Sequence, residues 1–135
     1  MMCPFSNILV LLDCSPVDDA VVNEVLRIVS GADVRVTLVH VVHSHTLDQD
    51  RALRAKSEAC MTARVRRFAE ASVNAEPLLL SGEPETELAR HINEGTYDLV
   101  AMATHGHKAL QDVLLGSVSD YLKHTVTVPL LLVRG

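Results

Sequence analysis

The chain has 135 residues, 48% of them apolar and only 3% aromatic, and carries a formal net charge of −5. That length builds one domain of ordinary size, residues 1–135, with a core of its own. The acidic balance lacks the clustered basic face of a nucleic-acid binder, and the scarcity of aromatics leaves Val, Leu, Ile and Ala to fill a sheet covered by helices on both faces.

Residues 7–12 (NILVLL) form a short unbroken apolar run, the pattern of a strand buried on both sides. Asp13, Cys14, Ser15 and Pro16 interrupt it. Ser15 is a good helix cap and Pro16 a good first helical residue, and Asp18 and Asp19 suit the dipole of the first turn. The helix carries Val17, Val21, Val25 and Ile28 along one face and stops at Ser30–Gly31. A second strand covers 34–42, followed by a polar loop over 43–50. A long helix follows from Arg51 to about Val73, with Met61, Val65, Phe68 and Ser72 inward. Residues 76–80 make a third strand, with a turn at 81–84. A helix with Leu88, Ala89 and Ile92 inward closes at Gly95. Residues 98–104 make the fourth strand, and a glycine-containing loop runs from His105 to Gly116. Ser117 opens the last helix, and 129–133 is the closing strand. Five strands joined by four helical crossovers pair in parallel, with right-handed connections.

No basic leader with a small-residue cleavage site is present, and no run reaches the ~20 apolar residues that span a bilayer. The expectation is a cytoplasmic protein with no membrane partner. Cys3, Cys14 and Cys60 are odd in number and widely spaced. They read as unpaired thiols of a reducing compartment, with neither a disulfide framework nor a metal-ligand pattern.

The chemistry concentrates in two segments that leave strand ends, 13–15 and 104–117. Gly106 follows a strand, and Gly116 and Ser117 stand beside a helix start. Glycine lets backbone approach a ligand closely, and a helix N-terminus offers free N–H groups and partial positive charge. Together they make a phosphate site, to which Ser117 adds a hydroxyl and Lys108 a point charge. Asp13 suits either a ligand contact or a cap on the next helix, and the two roles are compatible.

Ala103-x-x-Gly106, nine residues, then Gly116-Ser117 resembles the nucleotide-binding form of the universal stress protein family, whose segment reads G-x-x-G, nine residues, G-S or G-T. The first glycine is replaced by Ala103, and Cys14 stands where the family often has glycine. Asn7 to Asp13 with Ser15, His40-Val41-Val42, Gly82-x-Pro84, Asp98-Leu99-Val100 and the closing segment from Val128 to Arg134 are also similar to the family, so the resemblance covers nearly the whole chain. It implies a three-layer α/β sandwich of the adenine nucleotide alpha hydrolase type, its parallel sheet ordered 3-2-1-4-5. It implies a regulatory module that binds ATP, or AMP or ADP, with Mg²⁺ as an accessory to the phosphates. Asp13 would then accept a hydrogen bond from the adenine–ribose side, Val41 would pack on adenine, and Gly106, Gly116 and Ser117 would hold ribose and phosphates. Cys14, Ser15, Ala103, Thr104 and His107 complete the implied set. It further implies a homodimer through the strand from Val128 to Val133, and a protein partner that the sequence does not name.

Other motifs point to no chemistry of their own. His43 and His45 lack a third metal ligand, and nothing basic adjoins Cys14 in sequence to activate it. No nucleophile elbow or Walker segment occurs, so the expectation is a binding protein with at most slow ATP hydrolysis. A nucleotide-free scaffold of the same fold and a slow adenylyl-handling enzyme are the alternatives.

Overall fold

The computed structural model describes residues 3–43, 46–104 and 114–135, with backbone alone for 114–117. The apolar run after Ser6 becomes β1 (Asn7–Leu11), and Ile8, Leu9 and Val10 are fully buried. A strand buried on both faces must lie centrally, because each side chain of this size gains ~1.5–3 kcal/mol on leaving water. β1 pairs in parallel with β2 (Arg35–Val42) on one side and with β4 (Leu99–Thr104) on the other. Beyond them lie β3 (Ala75–Ser81) and β5 (Leu130–Arg134), giving the order β3-β2-β1-β4-β5 with every pair parallel. The two edge strands are only partly buried, as their position requires.

Helix α1 (Asp18–Val29) and helix α2 (Leu47–Glu70) lie together, joined by Arg67 donating to Asn23 Oδ1 at 2.9 Å. Helix α3 (Pro84–Glu94) and helix α4 (Leu114–Thr125) meet through Asn93, which donates to the Thr125 carbonyl at 3.1 Å. The sheet is thus flanked by two helical layers, the α/β sandwich expected.

Five details differ from the sequence expectation. The first helix begins at Asp18, because Ser15 turns back onto Asp13. It buries Val21, Val22, Val25 and Val29, while Val17 and Ile28 are half-buried, so its inner stripe is rotated. The second helix begins at Leu47, inside the stretch expected as loop, because Thr46 caps it by accepting from the Gln49 N–H at 3.1 Å. That helix ends at Glu70, and Ser72, expected inward, is exposed at φ 61°. Helix α4 opens at Leu114, which places Gly116 and Ser117 in its first turn rather than ahead of it. At Gly31 the expected stop holds: φ 73° suits a residue without Cβ.

Candidate functional site

At the carboxyl ends of β1 and β2 the chain opens a continuous crevice. Its inner part is a narrow slot lined by Leu12 and Asp13 after β1, Val39, His40 and Val41 on β2, Pro84 and Leu88 on α3, and Val118 on α4. Its outer part, about 250 Å³, shares Asp13, His40 and Val41 and continues to Cys14 and His43. Leu53, Lys56 and Ser57 of α2 form the far wall, with Ser57 only 5% exposed. This lies at the carboxyl edge of the parallel sheet, the edge on which open α/β sheets bind their ligands. An apolar floor with a few convergent polar groups is the general character of small-molecule clefts.

The loop leaving β1 is held by two carboxylates. Asp13 Oδ1 accepts from the Ser15 N–H at 2.9 Å and from the Ser15 hydroxyl at 2.5 Å. Asp18, with 0% exposure, receives the Asp13 N–H at 3.0 Å on one oxygen and the Cys14 N–H at 2.9 Å on the other. Arg64 of α2 stands 3.3 Å from the same Asp18 carboxylate. Burial pushes the Asp18 carboxyl up to about 6, aided by the charge of Asp13 and opposed by the N–H donation and by Arg64. His40 donates from Nδ1 to the Leu12 carbonyl at 2.9 Å, fixing its ring at the crevice.

The structure overturns the reading of three unpaired thiols. Cys14 and Cys60 form a disulfide with Cα atoms 6.0 Å apart, and Cys3 remains free. The pairing was hidden in sequence because 46 residues separate the two, and only the packing of α2 against the β1–α1 loop brings them together. In the chain-entropy picture a loop of that size gives a stabilisation of about 4 kcal/mol. The cysteine count therefore carries no argument about compartment. Cys14 adopts φ 62°, the left-handed region that costs a non-glycine residue roughly 1–2 kcal/mol, which is the physical reason glycine suits this position. Cys14, Asp18 and Cys60 offer ligand atoms within 4.8 Å of one another. The two sulfurs are bonded to each other and both Asp18 oxygens are engaged, so this cluster is not a metal centre as it stands.

The sequence-derived candidates divide into three groups. Asp13, Cys14 and Val41 line the crevice, and Ser15 is bonded to Asp13. Ala103 and Thr104 end β4 at the same sheet edge, one and two residues beyond Met102, the partner of Leu11. Neither lines the crevice: Ala103 is fully buried opposite Val133, and the Thr104 carbonyl accepts from the Gly135 N–H at 2.8 Å. Gly106 and His107 lie outside the described residues, and of Gly116 and Ser117 only the backbone, in the first turn of α4, is described. Sequence reasoning missed Lys56, Ser57, Cys60 and Arg64, all on α2, because nothing in their spacing tells which helix will wall the crevice. It placed Asp18 in a first helical turn but not under the loop.

Comparison with known proteins agrees with this architecture. The model of the universal stress protein family matches residues 4–134. The universal stress protein YxiE of Bacillus subtilis is 24% identical over 147 residues, spanning 96% of this chain and 99% of its own. Universal stress protein UspA from Lactobacillus plantarum superposes with a TM-score of 0.78 at 22% identity, covering 96% of this chain and 97% of that one. A universal stress protein family protein of Arabidopsis thaliana, solved with AMP bound, gives 0.74 at 18% identity and covers 96% of this chain and 91% of that one. Neighbours of the same fold have also been solved in complex with cAMP and with dAMP, at TM-scores of 0.73 and 0.72. With its family model matched over almost its full length, this chain belongs to the universal stress protein family.

Proposed function

We propose that this protein is a nucleotide-binding regulatory module that takes an adenine nucleotide, ATP or its ADP and AMP relatives, into the crevice beside β1. The observation that carries this reading is the convergence of Asp13, from the loop after β1, and Val41, from β2, on one cleft that Val118 of α4 also lines. Family neighbours solved with AMP, cAMP and dAMP support the choice of ligand. In this reading Val41 packs on the adenine face and the Asp13 carboxylate accepts from the adenine–ribose side. The first turn of α4, with Gly116 and Ser117, offers N–H groups and a favourable dipole to phosphate, completed by Gly106 and His107. Mg²⁺ would serve only as a counter-ion to the phosphates. In this reading the module binds and signals rather than turning nucleotide over rapidly. Ligand binding would bias the surface that a protein partner reads.

Isothermal titration with AMP and with Mg-ATP tests this. Saturable binding is expected, and Asp13→Ala should weaken it by about tenfold or more, the scale of one lost charge-assisted hydrogen bond. No saturable heat at millimolar nucleotide would refute the reading.

We also propose a homodimer through β5. Its outer edge has no strand partner among the described residues, and Leu132 is 38% exposed. Antiparallel pairing with a second copy, over the segment from Val128 to Val133, would cover this edge. Light scattering at micromolar concentration should give twice the monomer mass, and the monomer mass would refute it.

A further inference from the structure

The crevice has a covalent tie across it. Cys14 follows Asp13 directly on its floor, and Cys60 lies on α2, one helical turn beyond the wall residues Lys56 and Ser57. Their disulfide therefore joins the floor to the wall. Both cysteines are only partly buried, and Cys14 borders the open cleft, so a thiol in solution can reach the bond from the ligand side. Beneath it, Asp18 holds the Asp13 and Cys14 N–H groups and faces Arg64 from α2. Once the sulfurs part, these noncovalent contacts alone hold the loop.

We infer that the Cys14–Cys60 bond is a thiol–disulfide exchange site that tunes the crevice, oxidation fixing α2 against the β1–α1 loop and reduction by a dithiol releasing it. The step balances. A thiolate of the dithiol attacks one sulfur, forms a mixed disulfide and displaces the other cysteine as thiolate. The second thiol of the reductant then attacks the mixed disulfide, leaves as part of the reductant's own disulfide and frees the remaining cysteine. The protein gains two electrons and two protons, and the dithiol loses them. The oxidised state is the tighter binder, because a wall already held in place loses less freedom when ligand arrives. Linkage then requires the converse: bound nucleotide favours the oxidised form.

The effect on affinity rests on the nucleotide reading; the exchange site itself does not, and the experiment separates them. Non-reducing peptide mapping after mild air oxidation should recover a fragment linking Cys14 to Cys60. AMP is then titrated into the oxidised protein, the same protein reduced with dithiothreitol, and Cys60→Ser. The oxidised form should bind about tenfold more tightly than the other two, within the usual range of coupling between sites, and saturating AMP should shift its equilibrium with dithiothreitol toward the disulfide by the same factor. Should Cys60→Ser fail to fold, the reduced wild-type protein reads the same state. Equal AMP affinity in both redox forms, or no linked fragment, overturns the inference. If neither form binds AMP or ATP, the nucleotide reading falls, and hydrogen exchange judges the exchange site alone. Faster exchange at the amides of residues 13–15 on reduction, with those of 8–11 unchanged, sustains it; no change there overturns it.

Discussion

Both ends of β1 are held by the same device, and the two copies differ first in burial. At the amino end Asp98 accepts the N–H groups of Ser6 and Asn7 at 2.8 and 3.1 Å, and the Ser6 hydroxyl at 2.9 Å. At the carboxyl end Asp18 accepts the N–H groups of Asp13 and Cys14 at 3.0 and 2.9 Å. Asp98 faces solvent in part, whereas Asp18 is fully buried. Burial alone would raise the Asp98 carboxyl, but the donors from Ser6 and Asn7 outweigh it and hold it below its usual value. At Asp18 burial wins, and the carboxyl rises to about 6 despite two N–H donors and Arg64. Two backbone hydrogen bonds stabilise a carboxylate that keeps its water, but they do not replace a lost hydration shell. The amino end is thus a plain fastening for the strand. The carboxyl end carries charge, a left-handed cysteine and a disulfide beside a crevice, the kind of local cost that folds tolerate where they bind something.

The larger test of this contrast is pH. Between about pH 4 and 6 the folded protein keeps a proton on Asp18 that the unfolded chain has lost. Stability contributed by this group is therefore present in acid and falls as pH rises through that window, by about 3 kcal/mol at most, then levels off. Urea unfolding of the wild type and Asp18→Asn at intervals across the window should show the slope in the first and not in the second. Parallel curves would mean that burial does not dominate at this site. The smaller test is Asp98→Ala, which should cost about 1 kcal/mol, since its donors can turn to water. Because the Asp98 carboxyl lies below its usual value, that contribution is present above about pH 4 and fades in stronger acid. A loss as large as that of a buried carboxylate would erase the distinction between the two ends.

The order of elements was legible in the sequence to within a few residues, because short apolar runs such as 7–12 between turn signals read as strands and period-3.6 stripes as helices. The turn at Gly82 and the stop at Gly31 were legible for the same local reason: both take positive φ, at 124° and 73°. Asp13 and Val41 could be placed at the carboxyl edge because each directly ends or borders a strand. The start of α2 was less legible, since the cap at Thr46 lies in a polar stretch that reads equally well as loop.

What the sequence alone determined is the parallel α/β sandwich and which strand ends could bear a ligand, since both follow from hydrophobic period and from residues adjacent in the chain. Only the tertiary structure decided that Cys14 finds Cys60, that Asp18 lies buried under the β1–α1 loop, and that α2 supplies Lys56, Ser57 and Arg64 to the crevice and its margin. These pairings join residues dozens of positions apart. They depend on how one helix packs across a sheet, a relation that no local pattern of residues encodes.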